Sequence, residues 1–120
     1  MKARIAKTHI ALAALLAAFI ATPAFAHAFL KHASPGAGQT LAAPKEIALS
    51  FSEKLEPSLS GASVMDMSGH ELTGLSATVK DAMIVVALPP VKPGLYHVTW
   101  HAVSVDSHRT EGGYTFTVTP

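Results

Sequence analysis

From Lys45 to Ser52 the chain alternates: Ile47, Leu49 and Phe51 fall on one side, Glu46, Ala48, Ser50 and Ser52 on the other. A period of two is that of a β-strand with one face buried. The pattern recurs downstream. Small and apolar positions alternate from Leu59 to Met67, and a weaker candidate runs from Leu72 to Val79 after a Ser68-Gly69 turn. Asp81-Ala82 opens the β-rich run Met83 to Leu88, which Pro89-Pro90 stops because proline cannot donate to a sheet ladder. Lys92-Pro93-Gly94 then turns the chain into Leu95 to Val105, with Tyr96, Val98 and Trp100 on one face and His97, Thr99 and His101 on the other. After Glu111-Gly112-Gly113, a final strand aligns Tyr114, Phe116 and Val118. Trp100 is expected in the core against Tyr114 and Phe116, while Ser34 to Pro44, rich in Gly, Pro and small residues, reads as a surface loop. Turn signals recur about every 8–12 residues and no helical period is sustained beyond residue 26, which predicts an all-β fold. The expected architecture is an Ig-like, Greek-key β-sandwich of about seven antiparallel strands.

The first 26 residues differ in kind. Lys2, Arg4 and Lys7 precede an apolar stretch from Ala11 to Ile20, and Ala24-Phe25-Ala26 closes the segment. A basic start, a short apolar middle and an A-x-A exit mark a cleaved secretory signal. The apolar run is well short of the roughly 20 residues that span a bilayer. The expected division is therefore a signal peptide over residues 1–26 and one domain over 27–120, with His27 as the new N-terminus.

That division changes the charge. Removing three basic residues from nine leaves six against eight acids, so the domain carries a formal charge of −2. No basic surface interleaved with aromatics remains, which excludes nucleic acid as a partner. Cysteine is absent, so neither a thiolate zinc site nor a blue-copper centre is available. A small exported domain without disulfides must rely on its β core, helped by any metal it binds.

Histidine is the residue type that carries chemistry here. A terminal His27 offers an α-amine and an imidazole Nδ1, which together close a chelate ring around an ion. The amine has an ordinary pKa near 7.7–8.0, so a metal displaces its proton at neutral pH. Asp106 and His108 are two positions apart, and in extended backbone their side chains would leave one face and converge. An amine, two imidazoles and a carboxylate form a nitrogen-rich donor set that suits tetragonal Cu(II), with zinc as a chemically reasonable competitor. His97 and His101 share a strand face but stand about 13 Å apart at ~3.3 Å per residue, too far for one ion. They, with His32 and His70, are expected to face solvent.

These features sit within a wider pattern. The motifs are His27-Ala28 with Leu30-Lys31, Ser34-Pro35, Ala43-Pro44, and Leu49-Ser50-Phe51-Ser52-Glu53. Further on come Pro93-Gly94-Leu95-Tyr96-His97-Val98-Thr99-Trp100, Ala102-Val103-Ser104-Val105-Asp106-Ser107-His108, and Gly112-Gly113-Tyr114-Thr115-Phe116-Thr117-Val118. Over nearly all of its length the domain resembles the CopC family of periplasmic copper-binding proteins, including YobA-like members, and W-x-A-V-S-x-D-x-H is the most specific motif. The resemblance implies Cu(II) held by the His27 amine and ring, by His108 and by Asp106. Glu53, at the glutamate of the F-S-E motif, would be a weak ligand or a carboxylate that orients one. It also implies a periplasmic location, and an inner-membrane copper transporter of the CopD type as partner. Some relatives have a second early histidine where Phe29 stands. Others carry a methionine-built Cu(I) site; Met65 and Met67 would share a strand face with His70 close by, and Met83 would join them only through the fold.

Three functions compete on this basis. The first is a non-enzymatic periplasmic copper carrier or buffer, in keeping with the lack of a nucleophile-base pair or cofactor motif. The second is a small copper-dependent oxidative enzyme, which needs an exposed aromatic platform that 7% aromatic content hardly supplies. The third is an Ig-like interaction domain that begins with histidine by chance.

Overall fold

A computed structural model describes residues 28–72 and 76–120. The strands are β1 (Leu30–Ser34), β2 (Thr40–Leu41), β3 (Glu46–Phe51), β4 (Gly61–Met65), β5 (Ala77–Lys80), β6 (Met83–Ala87), β7 (Gly94–Val103) and β8 (Arg109–Val118). A short 3₁₀ turn at Pro57–Leu59 precedes β4. They form two four-stranded sheets, in the orders β1-β3-β6-β5 and β2-β8-β7-β4. The fold is the expected β-sandwich, antiparallel throughout except where β2 runs parallel to β8.

Alternation decides what lies between the sheets. Ile47 and Leu49 of β3, Ile84 and Val86 of β6, Val64 of β4 and Val98 of β7 are completely buried, and Phe116 and Val118 of β8 nearly so. Each fully buried aliphatic side chain of this kind contributes roughly 1.5–3 kcal/mol, enough to explain how a cysteine-free domain closes. Tyr96 stacks on Phe116 with ring centroids 5.6 Å apart, and its hydroxyl donates to the Lys92 carbonyl at 2.7 Å. Trp100 meets Phe51 edge-on at 5.1 Å, so its main aromatic partner comes from the opposite sheet and was not among those expected.

Three segments depart from expectation. The Ser34–Pro44 region is more than a surface loop: Pro35 is fully buried, and Thr40 and Leu41 pair with Thr117 and Val118. The last strand starts at Arg109, not beyond Gly113, and pairs with β7 from Val103↔Arg109 to Gly94↔Val118. Gly112 and Gly113 are strand residues chosen for close approach. A Cβ at Gly112 would lie 2.4 Å from Cζ2 of Trp100, so the missing side chain makes room for the indole. The candidate from Leu72 to Val79 shortens to Ala77–Lys80, and residues 73–75 lie outside the described residues.

Candidate metal centre

At one end of the sandwich the β7–β8 hairpin closes through Ser104–His108. The Ser104 N–H donates to the His108 carbonyl at 2.9 Å, and the Ser107 N–H to the Ser104 carbonyl at 2.8 Å. Ser107 sits at φ 75°, the left-handed region that non-glycine residues adopt mainly in turns. Asp106 and His108 therefore converge because a turn reverses between them, which corrects the expectation that extended backbone would align them. Asp106 Oδ2 lies 3.3 Å from His108 Nδ1. That is the spacing of a hydrogen-bonded ion pair, and also of two donor atoms each about 2.0–2.1 Å from one ion.

A residue without any spacing signal organises this pair. Ser104 is 1% exposed, and its hydroxyl donates to Asp106 Oδ1 in a short hydrogen bond. That bond is the largest of the effects holding the Asp106 carboxyl below its ordinary range, opposed by partial desolvation and aided by contacts to His108. Asp106 is thus an ionised acceptor whose orientation is fixed from beneath, as carboxylates beside a metal need to be.

Two other segments reach the same end. The Thr110 hydroxyl donates to the Ala28 carbonyl at 2.8 Å, while the Phe29 N–H donates to Ser52 Oγ and the Ser52 N–H to the Phe29 carbonyl, both at 2.8 Å. Ala28 is completely buried. On the far side of Ser52, the Val105 N–H bonds the Lys54 carbonyl at 3.1 Å and Leu55 bridges Ser104. The backbone of Glu53 consequently lies between the N-terminal segment and the Asp106 turn. Among the described residues no three of His, Asp and Glu gather closely enough to hold an ion, so the Glu53 carboxylate does not join Asp106 and His108 there. His27 and the segment 1–26 lie outside the described residues.

The remaining candidates are dispersed. Met65 ends β4 opposite His97 on the outer face of the second sheet, whereas Met67 and His70 belong to a turn organised by Asp66. Asp66 Oδ1 accepts from the Ser68 N–H at 2.9 Å and the His70 N–H at 3.0 Å. Met65, Met67 and His97 line one depression of about 270 Å³. Met83 lies on the first sheet, away from that group. His32, His70 and His97 are exposed as expected; His101 is half-buried, with its ring against Gly61.

A cysteine-free β-sandwich with an Asp-x-His hairpin turn at the end where its N-terminal strand enters defines a class, and the comparisons identify it. The CopC domain model matches residues 30–119. The chain is 41% identical over 113 residues to Protein YobA of Escherichia coli K12, covering 90% of this chain and 91% of that one. It is 38% identical over 109 residues to Copper resistance protein C of Escherichia coli, covering 82% and 86%. The crystal structure of CopC from Methylosinus trichosporium OB3b superposes with a TM-score of 0.72 at 36% identity, covering 78% of this chain and 95% of that one. The chain belongs to the CopC family.

Proposed function

We propose that this protein is an exported, non-enzymatic copper(II) carrier or buffer in copper homeostasis or resistance. Family membership and relatives named for copper resistance support a copper-related role. The observation that carries the finer reading is the Thr110–Ala28 hydrogen bond. It ties the residue bonded directly to His27 to the strand that follows His108. A signal peptide cleaved after Ala26 would leave the His27 amine and imidazole at this corner, beside the two donors already 3.3 Å apart. The four donors would be the amine, the His27 ring, His108 and Asp106, with the Glu53 carboxylate outside the ligand set as an orienting group.

Such a donor set favours Cu(II), which stands highest among divalent first-row metals for nitrogen-rich sites. His108 and Asp106 remain 54% and 35% exposed, so an ion held there stays accessible for transfer, as a carrier requires. The location would be the periplasm and the recipient an inner-membrane copper transporter of the CopD type. The test is the paramagnetic resonance spectrum of the Cu(II)-loaded, processed protein. His108→Ala should lose nitrogen hyperfine structure and bind more weakly; an unchanged spectrum would remove His108 from the site.

A further inference from the structure

The register of the first sheet lines up four residues in one row across its strands: His32 opposite Ser50, Ser50 opposite Met83, and Met83 opposite Lys80. A bulge puts His32 in that row. Leu30 pairs with Phe51 and His32 with Ser50, so β1 spends an extra residue, Lys31, on one step of β3. Leu49, Phe51 and Ile84 are buried between the sheets, hence Ser50 and Met83 project from the outer face. Under regular pairing from Leu30↔Phe51, Lys31 would oppose Ser50 and His32 would oppose Leu49 and aim inward; the bulge brings the imidazole into the outer row.

His32 is exposed and Met83 is 40% exposed. Neighbouring strands lie about 4.8 Å apart, so the two stand about 10 Å apart with only the short Ser50 side chain between them. Side chains as long as an imidazole and a thioether, turned toward each other over that serine, would span that distance with a single ion bonded to both.

We propose that His32 and Met83 form a two-donor site for a soft monovalent cation, Cu(I) or Ag(I), on the outer face of the first sheet. A thioether is a soft, neutral donor that selects Cu(I). Zinc in structural sites takes four ligands and Cu(II) a tetragonal set, which one imidazole and one thioether cannot supply. Cu(I) and Ag(I) accept two donors in line. Lys80 ends the row beside Met83, and its repulsion grows with the charge on the ion, which disfavours dications further. The site is distinct from the depression at Met65 and Met67, which is on the other sheet, and it rests on register alone, independently of His27.

The experiment is an Ag(I) titration of protein labelled with ¹³C at the methionine methyls, following those signals and the histidine rings by NMR. One equivalent should shift the Met83 methyl and the His32 ring together. Met83→Leu should abolish the His32 response and His32→Gln the Met83 response, while a Met65→Leu/Met67→Leu variant keeps both; anaerobic Cu(I) should reproduce the pattern and Zn(II) should not. Both positions are exposed, and the undisturbed core signals report that each variant is folded. A Met83 methyl that stays still while those of Met65 and Met67 move would overturn the site, as would a His32 shift that persists in Met83→Leu.

Discussion

The Thr110 hydroxyl holds the Ala28 carbonyl at 2.8 Å, joining residues 82 positions apart at the corner where β1 begins and the Asp106–His108 turn ends. A side-chain hydrogen bond of this kind contributes about 1 kcal/mol to stability, modest for the fold, and it fixes Ala28 beside the strand that follows the turn. Thr110→Val keeps the shape and removes the donor. It should cost about 1 kcal/mol in denaturant unfolding, since a lone buried carbonyl loses its partner. Competition titration should show Cu(II) affinity weakened by more than that stability loss alone explains.

Ser104 acts from below on the same corner. Its hydroxyl is the main reason the Asp106 carboxyl ionises below its ordinary range. A carboxylate with a depressed native pKa adds stability above its unfolded value, and that contribution disappears as pH falls through the native value. Ser104→Ala should therefore raise the Asp106 midpoint in a carboxyl-detected NMR titration and shrink the share of stability that Asp106 ionisation provides at neutral pH and loses in acid. Cu(II) binding by the variant should fail earlier on acidification, because the ligand must be deprotonated. An unmoved midpoint would show that Ser104 does not set the state of Asp106.

Tyr114 faces inward, and its hydroxyl is buried without a hydrogen-bond partner. Burial pushes its pKa up to about 12. A raised native pKa means that the stabilising preference for the neutral phenol is complete below about 10 and lost as pH rises through about 12. Tyrosinate absorbance should show this late step, and Tyr114→Phe should delete it. The same variant removes an unsatisfied buried hydroxyl, so its melting temperature should be unchanged or higher.

Gly112 lies beneath the indole of Trp100, the single tryptophan. In Gly112→Ala the new methyl group would press on the ring, and the overpacking should cost about 1–3 kcal/mol. Trp100 fluorescence offers a direct report, with its emission maximum shifting to the red as the ring is displaced from Phe51.

How much of this was visible in the sequence follows from the physics of each segment. β3 and the first part of β7 were legible because polar and apolar positions alternate there, and β6 because its continuous β-rich run is stopped by Pro89-Pro90. β1 was not, because the bulge at Lys31 breaks the period of two that identifies a strand. β2 is two residues long, too short to carry any pattern. Gly112-Gly113 read as a turn because glycine has the same letter whether it supplies a bend or makes room for an indole. At the site, the Asp106 and His108 spacing was informative although the backbone between them is a left-handed turn at Ser107. Ser104 and Thr110 went unseen, since a buried hydroxyl has no periodicity and declares itself only through its partners.

If an α-amine and a ring nitrogen on His27 begin the copper site, two forms of the protein should differ in affinity. One begins at His27; the other carries a single alanine ahead of it, which abolishes the terminal chelate and leaves Asp106 and His108 intact. Cu(II) titration against a competing chelator should show affinity falling at least about tenfold in the extended protein, equal to about 1.4 kcal/mol or more. Equal affinity in the two would contradict the account.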